Sequence, residues 1–324
     1  MLPLGNDSAR EALAAAMASG ALHHAWLIAG PQGVGKGAFA RAAALRMLSE
    51  AAEPEALSPG WAIPESCRTA HYAASGAHPD YRALTRLPKD PDKPDEALAR
   101  SITIAQVRSL QAMFATKPSL SSRRVVVIDS IDDLERGGAN ALLKSLEEPP
   151  QGTIFLLVSH APGRLLPTIR SRCRLLRFEP LPPSQVATIL RAELPQATAS
   201  EIDALVRAGE GSPGRALGFA GFDIAALEAE MSALAQTGDP GNAIRVRLSK
   251  LLGLKAAQPR YEAFLHRAPT FIADHARTRS GEALRTALDA HQSARELAGS
   301  ALGLSLDASA TVFEMAGLIA RLAK

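Results

Sequence analysis

The chain has 324 residues, more than one compact core usually holds, so we expect two or three domains. Its 47% of hydrophobic residues allows sizeable cores, and its two cysteines, Cys67 and Cys173, exclude a disulfide framework and favour a reducing compartment. The formal net charge of +3 permits contact with nucleic acid or acidic partners without requiring it. The first residues lack the basic and apolar regions of a signal peptide, and no apolar run approaches the roughly 18 residues of a membrane span. We therefore expect a soluble cytoplasmic protein without a membrane partner.

Helical and strand patterns alternate through the first 180 residues. The predicted helices cover residues 8–19, 36–48, 104–114 and 139–148, and the predicted strands cover 25–29, 125–128, 153–158 and 175–178. Residues 51–100 contain seven prolines and a charged tract over 89–96, so we predict a loop-rich insertion there. The alternation is typical of a mostly parallel sheet with helices on both faces.

The strand pattern stops after residue 180. Helices are predicted over 185–194 and 200–208, the second opened by a capping box at Ser200–Asp203, and a third begins at Ser212-Pro213. The remaining residues, 222–324, are predicted to be helical. The expected domains are therefore an α/β domain over 1–180, a small helical domain over 181–221, and a C-terminal helical domain over 222–324.

A glycine-rich segment follows the first predicted strand and opens the next helix. Residues 30–37, GPQGVGKG, match the P-loop pattern G-x-x-x-x-G-K-[ST] up to its last position. Backbone N–H groups of such a loop point at phosphate oxygens, and the helix N-terminus favours their charge. The candidate nucleotide-binding residues are Gly30, Gly33, Gly35, Lys36 and Gly37. Because Gly37 replaces the hydroxyl that would ligate Mg²⁺, retention of a nucleotide is left open.

A second catalytic position is also altered. The apolar run at 125–128 ends in Asp129, as a metal-side strand should, but the next residue is Ser130 and not an acid. A general base is worth about 10²- to 10⁴-fold in rate. We therefore predict no ATPase activity of the chain's own, and we do not expect Asp132 or Asp133 to replace the missing acid.

Four further motifs carry a resemblance to a known family. Residues 171–173 (SRC), 140–150 (NALLKSLEEPP), 78–81 (HPDY) and 211–214 (GSPG) resemble motifs of the AAA+ subunits of clamp loaders. Together with the degraded P-loop, they most resemble the delta-prime subunits of the bacterial DNA polymerase III clamp loader. The resemblance covers roughly residues 22–217, and beyond it only the helical character fits.

The resemblance implies an AAA+ domain, a helical lid and a C-terminal collar domain that assembles with other subunits. It implies a non-catalytic subunit of a DNA polymerase holoenzyme, with gamma/tau ATPase subunits and a delta subunit as partners in a ring that loads a sliding clamp onto primer–template DNA. ATP and Mg²⁺ would be bound by the neighbours. Arg172, flanked by Ser171, would act as an arginine finger in trans on a neighbour's ATP.

Three other family positions are less decisive. Ser159 corresponds to a polar residue that senses the γ-phosphate, or it caps the next turn. The lid arginine of active members falls on Gly214, and Arg215 comes one residue later, so it is expected to point elsewhere. A zinc module of many relatives is represented only by Cys67, with His71 and His78 as further nitrogen ligands, so no metal is predicted.

Three rival functions fit the same residues less well. An autonomous AAA+ ATPase, such as the catalytic loader subunit, would need a hydroxyl at position 37 and an acid at position 130. A DNA-binding protein on an inactive P-loop frame would favour a larger positive charge than +3. A small-molecule kinase fits neither the helical C-terminal third nor the missing metal ligand.

Overall fold

The computed structural model describes residues 4–20, 22–90, 92, 98–304 and 306–323. Part of the charged tract at 89–96 and the first three residues lie outside these ranges. No helix in the described part of the chain combines the length and the apolar character that crossing a membrane requires.

The secondary structure confirms most of the predicted elements. The strands are β1 (Ala25–Ala29), β2 (Tyr81–Leu84), β3 (Arg124–Asp129), β4 (Thr153–Ser159) and β5 (Arg174–Arg177). The helices are α1 (Asp7–Ala18), α2 (Lys36–Ala52), α3 (Arg68–Ala74), α4 (Ile104–Phe114), α5 (Arg136–Glu147), α6 (Pro167–Arg170), α7 (Pro183–Glu193), α8 (Ala199–Gly209), α9 (Pro213–Gly218), α10 (Ile224–Thr237), α11 (Ala243–Leu252), α12 (Gln258–Ala276), α13 (Gly281–Leu304) and α14 (Ala308–Ala320).

The chain divides into two compact units. The first comprises residues 1–185 together with 211–214, and the second comprises 186–210 together with 215–324. All five strands fall in the first unit, and the described part of the second is helical. The further division of the helical part at residues 221 and 222 stays a prediction.

The strands of the first unit form one parallel sheet in the order β2-β3-β4-β1-β5. Parallel neighbours need crossover connections, and here these are helices. Every residue of β1 and β4 is buried, which explains why these strands are continuous apolar runs. The carboxyl end of β1 leads into the glycine loop, where α/β sheets commonly bind ligands.

Successive side chains of each strand point to opposite faces, and a separate apolar cluster covers each face. Ile28 of β1 lies in the cluster that includes Leu13 of α1 and Phe39 of α2. Leu27 lies in the cluster that includes Leu142 of α5 and Ile169 of α6. Helices on both faces of a parallel sheet, followed by a helical remainder, confirm the predicted α/β class.

The prediction of a loop-rich insertion over 51–100 is incomplete, because this region contains α3 and the edge strand β2. Within β2 only Leu84 is buried, and Arg82 and Ala83 are exposed. The strand therefore lacks the apolar run that identifies buried strands. It is recognised only by its parallel pairing with β3, in which Tyr81 lies opposite Val125.

A buried polar cluster fixes the start of β2. Asp80, 1% exposed, accepts hydrogen bonds of 2.8 Å from the backbone N–H groups of Ser119 and Leu120. Its carboxylate lies 3.9 Å from a guanidinium nitrogen of Arg124, which is also 1% exposed and donates to the Thr116 carbonyl at 3.0 Å. This cluster makes the HPDY motif a structural element of the first unit.

The capping box predicted at Ser200–Asp203 is wrong by two residues. Thr198 is the N-cap of α8, its hydroxyl accepts from the Glu201 N–H, and the Glu201 carboxylate accepts from the Thr198 N–H. Both Thr198–Glu201 and Ser200–Asp203 have the spacing of a capping box, and the two segments overlap in the sequence. Asp203 has a shorter side chain than Glu201, which explains why the Thr–Glu pair forms the reciprocal bonds.

Candidate functional site

The glycine loop has the backbone of a phosphate-binding loop. Gly30, Gly33 and Gly35 have φ angles of 155°, 80° and 94°, which side chains rarely adopt. A Cβ atom at Gly30 would lie 2.0 Å from the Phe178 carbonyl oxygen, so only glycine fits where β1 leaves the sheet. Gly35 is the N-cap of α2. The predicted P-loop frame is therefore present.

Lys36 is folded back onto this loop. Its side chain is 2% exposed, and Nζ donates to the carbonyl oxygens of Gly30, at 2.7 Å, and of Pro31. Burial lowers the pKa of Lys36 to about 8, against the opposing effect of the Asp129 and Asp132 carboxylates. The amine that would meet a phosphate is thus held by the chain's own carbonyl groups.

The lowered pKa of Lys36 gives a testable pH dependence. Between pH 8 and the ordinary value of 10.5, the unfolded chain binds a proton at this amine that the folded chain has released. The free energy of unfolding should therefore rise with pH across this window, by up to about 3 kcal/mol. Denaturant unfolding at pH 7.5 and pH 10 should show the wild type gaining stability relative to Lys36→Met. A difference between the two proteins that does not change with pH would contradict the prediction.

The space at Gly37 is filled by a carboxylate. A Cβ atom at this position would lie 2.1 Å from Oδ2 of Asp129, and the same oxygen lies 2.9 Å from Nη1 of Arg41. The residues therefore do not fit a P-loop magnesium site, because Gly37 offers no hydroxyl, a side chain at position 37 would require the Asp129 carboxylate to move, and that carboxylate is paired with a guanidinium. Arg41 is a functional candidate that the sequence analysis missed. Its spacing of four residues from Gly37 places both on one face of α2.

The acids after β3 are used in structural hydrogen bonds. Asp132 accepts from the Ser159 hydroxyl at 2.9 Å and from the backbone N–H groups of His160 and Ala161. These bonds join the end of β3 to the end of β4. The Ser130 hydroxyl, 2% exposed, donates to Asp133 at 3.1 Å. Both candidate substitutes for the missing acid are thus engaged, and the sensor role of Ser159 stays a prediction.

His160 is a second residue that sequence reasoning missed. Burial lowers its pKa, and Lys36 lowers it further, so the imidazole favours the neutral form. Its position directly after the sensor-like Ser159 was the only signal in the sequence.

The GSPG motif packs against the glycine loop. The Ser212 hydroxyl donates to the Gln32 carbonyl at 2.7 Å, and the Gly214 N–H donates to the Gly33 carbonyl at 2.9 Å. A Cβ atom at Gly214 would lie 2.9 Å from Cα of Gly33. Position 214 therefore cannot hold the arginine of active members, and Arg215 forms an ion pair with Glu210 at 2.8 Å.

Arg172 follows the short helix α6, next to the start of β5. Its Nη2 lies 2.7 Å from Oε1 of Glu147, and its Nη1 donates to the Thr168 carbonyl at 2.7 Å and reaches the Ser171 hydroxyl at 3.5 Å. The side chain is 32% exposed, so part of the guanidinium faces solvent. The Arg172 guanidinium, the predicted arginine finger, thus lies at the surface, with its terminal nitrogens bound to Glu147 and Thr168.

The two cysteines are free thiols. Cys173 donates to the Ile169 carbonyl, and burial raises its pKa to about 12, so it does not act as a nucleophile near neutral pH. Cys67 donates to the Ser49 hydroxyl and the Glu53 carboxylate, which also accepts from the Thr69 N–H. No group of three or more metal-ligating side chains occurs among the residues that the structure describes.

Comparison with known proteins identifies the family. The family described as "DNA polymerase III, delta subunit" matches residues 5–182. The "DNA polymerase III subunit delta'" of Escherichia coli is 33% identical over 288 residues, which cover 89% of this chain and 80% of that protein. The protein of the same name from Pseudomonas aeruginosa is 38% identical over 191 residues, which cover 59% of this chain and 53% of that protein. The alignment therefore spans only about half the length of this second relative.

A solved "DNA polymerase III, gamma subunit-related protein" from Thermotoga maritima is similar over 97% of this chain and 99% of that one, at 17% identity and a TM-score of 0.42. The sequence matches, by contrast, cover the P-loop, the SRC run and the sheet that holds them. The chain therefore belongs to the delta-prime subunit family of bacterial DNA polymerase III.

Proposed function

We propose that this chain is the catalytically inert AAA+ subunit of a DNA polymerase III clamp loader. It assembles with gamma/tau ATPase subunits and a delta subunit, through a collar formed by residues 222–324, and presents Arg172 to ATP bound by a neighbour. The complex loads a sliding clamp onto primer–template DNA in the cytoplasm. Residues 181–221 serve as the lid.

One observation carries this proposal: the chain's own side chains close its P-loop. Asp129 lies in the space that a residue at 37 would need, and Lys36 is bound to loop carbonyls. We infer that the chain holds no Mg²⁺–nucleotide of its own. Strand β1, the glycine loop and helix α2 are nevertheless all formed. This fits a subunit that is retained for its shape and for its contacts with active neighbours.

The chemistry of the finger follows from the guanidinium group. It is planar, permanently charged and able to donate two parallel hydrogen bonds, so it can neutralise charge that develops on phosphoryl oxygens. Arg172 is partly exposed at the end of a motif beside the sheet. This exposure supports the proposal that Arg172 meets a nucleotide on another subunit.

The isolated chain tests the proposal directly. Purified alone with ATP and Mg²⁺, it should release no phosphate above background, and mixed with gamma/tau and delta subunits it should elute as one larger complex. A Lys36→Ala variant serves as control, since any activity that survives this change comes from a contaminating enzyme. Turnover on the order of 1 s⁻¹ or more by the isolated wild type, abolished by Lys36→Ala, would contradict the proposal.

A further inference from the structure

The ion pair between Glu147 and Arg172 deepens the proposed function, on which this inference rests. Glu147 is the last residue of α5 and belongs to the NALLKSLEEPP motif, whose acids the proposed function leaves without a role. Its carboxylate lies 2.7 Å from Nη2 of Arg172, and the two side chains are 49% and 32% exposed. An exposed pair of this kind adds little to the stability of a fold. The pair instead affects how the Arg172 guanidinium is oriented.

The contacts of Arg172 occupy one end of its guanidinium group. Nη2 faces the Glu147 carboxylate, and Nη1 donates to the Thr168 carbonyl at 2.7 Å. Among the described residues no group accepts from Nε. The edge formed by Nε–H and the second N–H of Nη2 is the fork that binds carboxylate or phosphate oxygens in parallel. The Nε side of that edge is therefore left available.

The stability of α5 does not explain why an acid stands at its C-terminal end. An acid in the last turn of a helix interacts unfavourably with the helix dipole. Glu147 nevertheless ends α5, a second acid, Glu148, is the C-cap residue, and Pro149 follows directly. Glu148 makes no ion pair or side-chain hydrogen bond within the described part of the chain, which leaves Glu147 as the acid with a specific contact.

The helix that carries Glu147 is packed against the sheet. Leu142 and Leu146 of α5 are each 1% exposed and pack in the cluster that covers one face of the sheet. A carboxylate on a packed helix can hold a long, flexible arginine side chain in one orientation, and such supporting contacts decide how well a functional group is placed. We propose that Glu147 is a positioning residue that orients Arg172 so that its Nε–Nη2 edge meets a phosphate group on the neighbouring subunit.

The test is a double-mutant cycle in the reconstituted complex with gamma/tau, delta, clamp and primed DNA. Glu147→Ala should lower kcat for ATP about tenfold at the site that Arg172 serves, with KM unchanged, because misplacing a reacting group by a fraction of an ångström has effects of this order. Glu148→Ala should leave kcat unchanged. In an Arg172→Ala background, Glu147→Ala should have no further effect. Glu147→Gln, which keeps an acceptor oxygen, should retain intermediate activity.

The outcomes separate this inference from the function on which it rests. If Arg172→Ala slows turnover but Glu147→Ala does not, or if their effects multiply, Glu147 does not act through Arg172 and the inference is wrong. If Arg172→Ala itself leaves turnover unchanged, both the proposed role of Arg172 and this inference are wrong. Equal assembly and equal unfolding midpoints for all five variants, the double variant included, would exclude a merely structural cause.

Discussion

Replacing Arg172 by alanine is expected to lower ATP hydrolysis by the assembled complex at the site it serves by about 10³-fold or more, the lower end of the effect of arginine fingers. The guanidinium stabilises charge that exists mainly in the transition state, so kcat should fall much more than KM rises. Steady-state phosphate release, measured at saturating clamp and primed DNA, gives both constants. Because only one of several ATP sites would lose its finger, single-turnover measurements are needed to isolate the affected site.

Two control variants sharpen this experiment. Arg191→Ala removes an exposed arginine on α7 that has no ion pair within the described residues, and it should leave kcat unchanged. Arg172→Lys keeps the positive charge but not the planar fork, and it should remain strongly impaired. A lysine variant with wild-type kcat would show that charge alone matters, and an unaffected Arg172→Ala complex would remove Arg172 from the mechanism.

Replacing Asp80 by alanine should lower the free energy of unfolding of the first unit by about 3–5 kcal/mol. The change removes the acceptor for the backbone N–H groups of Ser119 and Leu120 and leaves the buried Arg124 without its carboxylate partner. Denaturant unfolding followed by tryptophan fluorescence measures this unit selectively, because both tryptophans, Trp26 and Trp61, belong to it.

Asp7→Ala is the matched control for Asp80→Ala. Asp7 also pairs with an arginine, Arg10, at 3.0 Å, but its side chain is 70% exposed. Removing it should change the free energy of unfolding by less than about 1 kcal/mol. Equal effects of the two substitutions would show that burial of the Asp80 cluster does not determine its contribution.

The sequence was most informative where chemistry and local backbone coincide. Glycines at 30, 33 and 35 predicted the loop because only glycine adopts its φ angles, and the strands β1, β3 and β4 were predicted because both of their faces are buried. Strand β2 was missed because an edge strand with exposed Arg82 and Ala83 carries no apolar run. Its place in the sheet depends on pairing with β3, which lies 40 residues later in the chain.

Contacts between distant segments explain why candidate residues such as Arg41 were missed in the sequence. Arg41 and Asp129 are 88 positions apart, and nothing local to either residue indicates that they meet. Glu147 and Arg172 each lie in a motif that was identified, but the motifs alone do not show that the end of α5 lies beside the SRC run. A sequence pattern identifies the residues of a site, and the fold alone determines which of them are partners.

The pair formed by Arg41 and Asp129 bears on what would be needed to restore a magnesium ligand at position 37. A mutation that restored serine or threonine at position 37 would place its side chain against Oδ2 of Asp129, which Arg41 holds in place. The acid missing at Ser130 would still be absent. On the proposed function, restoring a magnesium-ligating hydroxyl at position 37 would therefore also require Asp129 to move away from its pair with Arg41, and a separate change would have to supply the acid at position 130.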